Sequence, residues 1–378
     1  MRITIVTGPF LSIPPAPAGA VERRWSDVAR SFAERGHRVR LICRAHPDLG
    51  RARKRDGVEI HPVLPFRAGT SMPLNLAKDL AYATRVLLAL PRADILVTNT
   101  FFLPMLAWLR PAAGHVCVNV ARVPKGQMRA YLRFGVARFH AVSSAIREDI
   151  IAECPDAAPR IRVIPNPIRT DVFRPGNGQP AAEPVVLYTG RLHPEKGLDL
   201  LVTACRSLLV EFTTLRLKLM GALDAEGGGG GDVLRRELES LAGPLPLEIA
   251  PPVYDREALR REICSATLYA YPSVAEKGES FGIAPLEAMA CGHAPVVSSL
   301  ACFRDFLEDN RTALVFDHRG PGAAERLAAC LRRQLRDPEE RTAMGQAAAE
   351  RARDFSVEAI ADQYLTDFQG LLAKGANS

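Results

Sequence analysis

Short apolar runs of strand length alternate with longer amphipathic stretches, and this alternation occurs in two successive series along the chain. Ile3 to Thr7, Val39 to Cys43, Ile95 to Thr98, Val116 to Val120 and Ala141-Val142 read as strands of the first series. Between the first two, Val21, Trp25, Val28, Ala29 and Phe32 recur at helical spacing. Gly36-His37 ends that helix, because glycine takes the left-handed conformation beyond a helix without a steric penalty. Leu74 to Leu90 is a further helical stretch. Strand, helix, strand in repetition predicts parallel strands with helices covering both faces of the sheet.

The pattern breaks at Arg174-Pro175-Gly176-Asn177-Gly178-Gln179-Pro180, a composition that punctuates rather than packs. A second series opens at Val185 to Thr189 and runs through Leu215 to Met220, Leu268 to Tyr271 and Ala294 to Ser298. A chain of 378 residues suits two domains of roughly 150–200 residues better than one core. The expected domains are 1–178 and 184–356, with a hinge near 176–183. Beyond them Val357, Ile360, Tyr364, Phe368, Leu371 and Leu372 form an apolar helical stripe that must dock on something.

Several function classes are weakened by what is missing. No run reaches about 18 uninterrupted apolar residues, the length that spans a bilayer. The opening Met1 to Val6 stops at Thr7-Gly8-Pro9, too short for a signal-peptide core, so a cytoplasmic protein is expected. The eight cysteines include no Cys-x-x-Cys pair and read as reduced, mostly buried thiols. The first strand does not lead into Gly-x-Gly-x-x-Gly, which counts against an ordinary dinucleotide enzyme. Five glycines at 227–231 lack a following Gly-Lys-Ser/Thr and read as a flexible surface loop, not a phosphate loop.

Net charge is +7, and the excess is uneven. Between Ile95 and Arg147 there is no acidic residue, while Arg110, Arg122, Lys125, Arg129, Arg133, Arg138 and Arg147 are present. Such a run is a solvated basic face or a docking surface for an anionic partner, either a phosphorylated acceptor or a peripheral contact with an anionic membrane. No nucleic-acid-binding module accompanies it.

Two stretches carry chemistry. In Leu187-Tyr188-Thr189-Gly190-Arg191-Leu192-His193-Pro194-Glu195-Lys196-Gly197 a strand ends at Gly190, a loop presents Arg191 and Lys196, and Gly197 opens a helix. Two fixed cations beside a helix N-terminus, at the C-terminal end of a parallel strand, suit a diphosphate. His193, inside the same loop, is either a hydrogen-bond donor to that ligand or a turn residue. In Glu279-Ser280-Phe281-Gly282-Ile283-Ala284-Pro285-Leu286-Glu287 a loop passes into a helix near Pro285, which Gly292 ends. Backbone N–H groups around Gly282, Ile283 and Ala284 would point out for phosphate or sugar oxygens. The carboxylates of Glu279 and Glu287 suit vicinal diols, with helix capping the plainer alternative for Glu287.

These pieces, in this order, resemble glycosyltransferase family 4, the retaining nucleotide-sugar-dependent transferases of the two-Rossmann GT-B fold. Gly19-Ala20-Val21-Glu22-Arg23 resembles the family's glycine loop and helix start, and Arg35-Gly36-His37-Arg38-Val39 the turn before its second strand. Val142-Ser143-Ser144, Val163-Ile164-Pro165-Asn166-Pro167 and Phe173-Arg174-Pro175 resemble its pre-hinge segments. Tyr271-Pro272-Ser273 followed by the Glu-x7-Glu segment from Glu279 to Glu287 is the most specific match. The resemblance covers nearly the whole chain.

The resemblance implies an α/β fold of two doubly wound parallel sheets facing across a cleft, with the last helix, 357–378, packing back on the N-terminal domain. It implies a hexosyltransferase that takes its sugar from an NDP-sugar, most commonly a UDP-sugar, to a glycan, lipid-linked or small-molecule acceptor. Arg191 and Lys196 would hold the diphosphate, Glu279 would face the transferred sugar and Glu287 would bind the ribose. Gly19, Ala20, Gly190, Phe281, Gly282, Ile283 and Ala284 would line the donor. No metal and no resident cofactor are implied, and attack would be front-face without a covalent intermediate. Many members carry a histidine where this chain reads Val116-Cys117-Val118-Asn119-Val120-Ala121-Arg122, so either Asn119 or Arg122 serves on the acceptor side or the role is absent. The segment Ser298-Ser299-Leu300-Ala301-Cys302-Phe303 lacks the family's paired glycines. The competing readings are a nucleotide-sugar epimerase of the same architecture and a non-catalytic nucleotide-sugar binder.

Overall fold

The structure, a computed structural model, describes residues 1–14, 19–49, 53–69, 71–176, 183–225 and 227–375. It divides into two compact units, Met1–Pro167 with Val357–Ser378, and Ile168–Ser356. The chain therefore leaves the first unit between Pro167 and Ile168, ahead of the Pro/Gly-rich linker. Most of that linker, like Pro15 and Pro17 of the first loop and residues 376–378, lies outside the described residues.

The first unit is built on β1 (Arg2–Val6), β2 (Arg38–Arg44), β3 (Lys54–Arg55), β4 (Val58–Val63), β5 (Ile95–Thr98), β6 (His115–Val120), β7 (Arg138–Ala141) and β8 (Ile161–Val163). Their order in the sheet is β3-β4-β2-β1-β5-β6-β7-β8. The pairs are parallel, with Ile3 against Val39 on one side and Ile95 on the other. Short β3 is the exception, antiparallel to β4. Between the strands run α1 (Ala20–Glu34), α2 (Met72–Ala89), α3 (Leu103–Leu106), α4 (Met128–Arg133) and α5 (Ser144–Glu153).

The second unit repeats the plan with β9 (Val185–Thr189), β10 (Arg216–Met220), β11 (Leu247–Ala250), β12 (Leu268–Tyr271), β13 (Val296–Ser298) and β14 (Leu314–Phe316). Its order is β11-β10-β9-β12-β13-β14, parallel throughout its pairings. The helices are α6 (Leu198–Leu208), α7 (Gly231–Ala242), α8 (Arg256–Ser265), α9 (Ile283–Ala290), α10 (Ala323–Arg336) and α11 (Pro338–Ala352). In both sheets the strand order reverses direction at the first strand, between β1 and β5 and between β9 and β12. That reversal splays the following loops apart and leaves a crevice at the C-terminal strand ends, where open α/β sheets take ligands.

The last helix, α12 (Val357–Gly375), belongs to the first unit. Its apolar stripe meets α1: Tyr364 lies 5.1 Å from Trp25 and Phe368 lies 6.0 Å from Phe32, centroid to centroid. Val357, Ile360, Tyr364, Phe368 and Leu371 are buried. Beneath them Asp367 accepts hydrogen bonds from Arg138 Nε at 3.0 Å and from His140 Nε2 at 2.9 Å. Arg138 is thus internal and does not belong to the solvated basic face expected of the 95–147 stretch. Arg129, from the same stretch, donates to the Glu153 backbone carbonyl, and the Glu153 carboxylate accepts from Gly126 and Met128 N–H.

Candidate functional site

In the second unit the two loops singled out in the sequence follow β9 and β12, the strands that flank its switch point. β9 ends at Thr189, and Gly190 N–H donates to Met220 O at 3.0 Å. Gly221 N–H in turn donates to Ala250 O at 3.1 Å, so the ends of β9, β10 and β11 are laced together. No side chain fits at Gly221, because a Cβ there would overlap the Gly190 carbonyl.

Arg191 emerges from this edge and is about half exposed. Its guanidinium is aimed by two partners, Glu195 Oε1 at 2.6 Å and the Gly228 carbonyl at 2.9 Å. The second partner explains the glycine run, which is a hydrogen-bonded turn rather than a slack loop. Gly229 N–H donates to Asp224 O, Gly230 N–H to Leu192 O and Gly231 N–H to Leu223 O. A Cβ at Gly229 would overlap the Leu223 backbone, so close approach is what demands glycine there. His193 serves the turn: its Nδ1 accepts from Glu195 N–H at 3.3 Å, at the start of the short 3-10 turn Pro194–Lys196.

Lys196 is buried, and its Nζ donates to Glu279 Oε2 at 2.7 Å. The Tyr271 hydroxyl donates to the same oxygen at 3.0 Å, and the ammonium stands 5.7 Å from the Tyr271 ring centroid. Burial, reinforced by the neighbouring Glu279 charge, holds the Tyr271 phenol well above its ordinary pKa, so it remains a donor. Tyr188 stacks on Tyr271 at 5.4 Å and donates its hydroxyl to Arg191 O at 2.9 Å. The structure therefore brings Arg191, Lys196 and Glu279 together through Glu195, Tyr188 and Tyr271, three residues to which the sequence pattern assigns no role.

Glu279 and Glu287 belong to one loop-helix segment whose geometry is set by Gly282. Gly282 caps α9 with φ +89°, a conformation that disfavours side chains, and a Cβ would strike Phe303. No side chain caps this helix start, and no acidic residue lies in its first turn. Glu287, half-buried, is therefore not an N-terminal cap. Phe281 points inward: its ring is buried 5.0 Å from Phe306 and 6.3 Å from Phe355. A ligand could meet that residue only through its backbone.

Beside the Gly190–Gly221 contact lies a cavity of about 500 Å³ lined by residues that include Gly221, Leu223, Asp224, Ala250, Pro251 and Pro252. The sequence reading missed it, because it is assembled from the ends of β10 and β11 and the start of α7. Among the described residues no group of three or more His, Cys, Asp or Glu is placed to hold a metal.

In the first unit, the expected residues fall on the matching edge. Gly19 is the N-cap of α1, and Glu22, three residues on, folds back so that its carboxylate accepts from Gly19 N–H. Burial raises the Glu22 pKa, against the pull of its backbone hydrogen bonds and of Arg24 and Arg122. Ala20 and Arg122 are both exposed. Asn119 donates to Asn99 Oδ1 at 2.8 Å, which also accepts from Trp25 Nε1 at 2.8 Å. Asn119 Oδ1 is buried and has no partner among the described residues. Arg24, buried over the Trp25 ring, bonds Asn166, while its Nε and Nη2 have no such partner. Glu22 is legible only as part of the Gly19–Arg23 segment, and Arg24, one residue beyond it, carries no signal in the sequence.

Comparison with known proteins agrees with this geometry. Residues 21–172 match the family model described as Glycosyltransferase Family 4, and residues 170–351 match Glycosyl transferases group 1. The chain is 33% identical over 253 residues to a D-inositol 3-phosphate glycosyltransferase of Kineococcus radiotolerans, covering 60% of this chain and 56% of that one. It is 32% identical over 254 residues to an alpha-maltose-1-phosphate synthase of Mycolicibacterium smegmatis, covering 62% and 63%. The chain thus spans about half the length of the curated relatives it matches. Among solved structures, the sucrose-phosphate synthase of Thermosynechococcus elongatus superposes with TM-score 0.78 at 20% identity, covering 99% and 100%. Anabaena Alr3699/HepE in complex with UDP-glucose superposes with TM-score 0.71 at 18% identity, covering 98% and 100%. At these identities the likeness shows the fold, two parallel-sheet α/β domains of the GT-B type. No helix among the described residues is long and apolar enough to cross a membrane.

Proposed function

The chain belongs to glycosyltransferase family 4, and on that premise we propose that it moves a hexose or N-acetylhexosamine from a nucleotide-diphosphate sugar to an acceptor hydroxyl, with retention of configuration. The observation that carries this reading is the join between the Arg191–Lys196–Glu279 cluster and the cavity beside Gly221. A nucleoside fits a cavity of about 500 Å³, and its diphosphate would then run along the Gly190 edge toward the two cations.

Breaking the bond between the sugar carbon and the phosphate oxygen builds negative charge on the departing diphosphate. Arg191 and Lys196 would meet that charge, and the first-turn N–H groups of α9 at Ile283 and Ala284 would add backbone donors. Glu279, already fixed by Lys196 and Tyr271, keeps its second oxygen for a sugar hydroxyl. Glu287 would take the ribose diol. The acceptor hydroxyl attacks from the face the diphosphate leaves and passes its proton to the departing phosphate oxygen. No resident metal or cofactor is assigned a part.

UDP is the favoured donor nucleotide, given the UDP-glucose complex of the Anabaena structural neighbour. A small polyol or sugar phosphate is the favoured acceptor, following the inositol 3-phosphate that one relative's name gives as the group glycosylated and the sugar phosphate, maltose-1-phosphate, that another's gives as product. The test is a thermal-shift screen with UDP-, GDP-, ADP- and dTDP-sugars on the wild type and on Arg191→Ala and Glu287→Ala. Stabilisation by one nucleotide set, lost in both variants, is expected, together with NDP release when acceptor is added. Donor binding without NDP release for any acceptor would leave a non-catalytic binder, and stabilisation unchanged in both variants would overturn the site.

A further inference from the structure

Among the cysteines, Cys264 stands apart. Cys43, Cys117, Cys205 and Cys302 are buried, and burial pushes their thiols up, away from reactivity. Cys264 is part-exposed near the C-terminal end of α8, and the fold brings that end against the end of α9, where His293, two residues beyond the buried Cys291, donates Nε2–H to Ile263 O at 2.9 Å. Arg260 Nη1, one helical turn back, lies 3.8 Å from Cys264 Sγ. The backbone of 174–176 is laid over the same sulfur: Arg174 O is 3.6 Å away, and a Cβ on Gly176 would sit 3.3 Å from Sγ. The Arg260 guanidinium donates to the Cys264 sulfur, whose own thiol reaches Arg174 O, and the Cys291 thiol and Gly176 N–H act on it as well. The Cys291 contact acts most strongly, burial opposes it, and the net effect lowers Cys264 to about 7, while the same contact and burial push Cys291 up.

We propose that Cys264 and Cys291 form a peroxide-responsive thiol pair, with Cys264 the attacking sulfur and Cys291 the resolving one. The Cys264 thiolate attacks a hydroperoxide, here hydrogen peroxide: the S–O bond forms, the O–O bond breaks, and the departing hydroxide takes a proton to become water. Cys291 then attacks the sulfenic sulfur. An S–S bond forms, the S–O bond breaks, and the leaving hydroxide takes the proton of the Cys291 thiol as a second water. Two thiols and one peroxide give one disulfide and two waters, and a dithiol reductant reverses the step. The bond would join the C-terminal ends of α8 and α9, the latter the helix that carries Glu287.

The pair is tested on the full chain by thiol counting and peptide mapping after limited hydrogen peroxide, without reductant. Loss of two thiols, recovery of a Cys264–Cys291 linked peptide, and restoration by dithiothreitol are expected. Cys291→Ser should instead leave Cys264 as a sulfenic acid captured by dimedone, and Cys264→Ser should keep the Cys291 thiol intact. Each variant is checked for an unchanged thermal midpoint, and Arg260→Gln, which leaves both cysteines in place, should slow Cys264 alkylation at pH 7 several-fold. Retention of both thiols under peroxide, or linkage through other cysteines, overturns the proposal.

Discussion

Lys196 Nζ and Glu279 Oε2 stand 2.7 Å apart with only 6% and 12% of their side chains exposed. An ion pair so dry is held by mutual need, since each charge alone would lack solvation. Glu279→Ala should therefore cost about 3 kcal/mol of stability, the scale for stranding one partner of a buried pair. Lys196→Met with Glu279→Ala should recover part of it, with a coupling of about 1 kcal/mol or more in a double-mutant cycle read by urea unfolding. Additive losses would show that the two residues do not depend on one another.

Arg191 offers the opposite balance. Its ion pair with Glu195 is about half exposed, so Arg191→Ala should leave stability within about 0.5 kcal/mol. If the guanidinium meets the leaving diphosphate, kcat/KM should nevertheless fall about 10- to 100-fold. Steady-state NDP release beside a thermal melt separates the two effects. Turnover should also survive exhaustive EDTA treatment, and inactivation by EDTA would move the neutralising charge from these side chains to an ion.

The Asp367 carboxylate is a third case, structural rather than chemical. Burial works against its charge, yet hydrogen bonds from His140 and Arg138 overcome that and hold its pKa below the ordinary carboxylate range. Asp367→Ala strands Arg138 under α12 and should cost about 3 kcal/mol or more. Proteolysis of the C-terminal helix under native conditions should accelerate in parallel. A variant as stable as the wild type would mean that the apolar contacts of Tyr364 and Phe368 alone dock α12.

What could be read in the sequence follows from how local each signal is. The central strands β1, β5, β9 and β12 are buried on both faces, so each is a short run made up mostly of apolar residues. Edge strands β3 and β11 and the mixed Val58–Val63 carry polar residues and were missed. Arg191, Lys196, Glu279 and Glu287 lie on continuous loop-helix segments whose spacing survives in one dimension. The cavity beside Gly221 comes from separate strand ends, and Asp367 meets His140 across 227 positions of chain, so neither leaves a local pattern. The glycine run was misread for the same reason: its partners Leu192 and Arg191 are distant in sequence.

His293 gives the molecule a pH dependence of known sign. Its ring is buried, Nε2–H donates to Ile263 O at 2.9 Å, and burial lowers its pKa to about 4, with Arg341 adding to the effect. In the unfolded chain the same imidazole titrates near about 6.5. Between those values the unfolded chain binds more protons than the folded one, so stability falls as pH falls. The contribution is complete above about pH 6.5 and shrinks toward pH 4, by up to about 3 kcal/mol over the whole window. His140, buried and likewise lowered, acts in the same direction, so the two must be separated by mutation. His293→Gln keeps an N–H for the Ile263 carbonyl but cannot titrate. Its urea-unfolding free energy should therefore decline less steeply than that of the wild type from pH 6.5 to 4.5, and parallel slopes would place the acid sensitivity elsewhere.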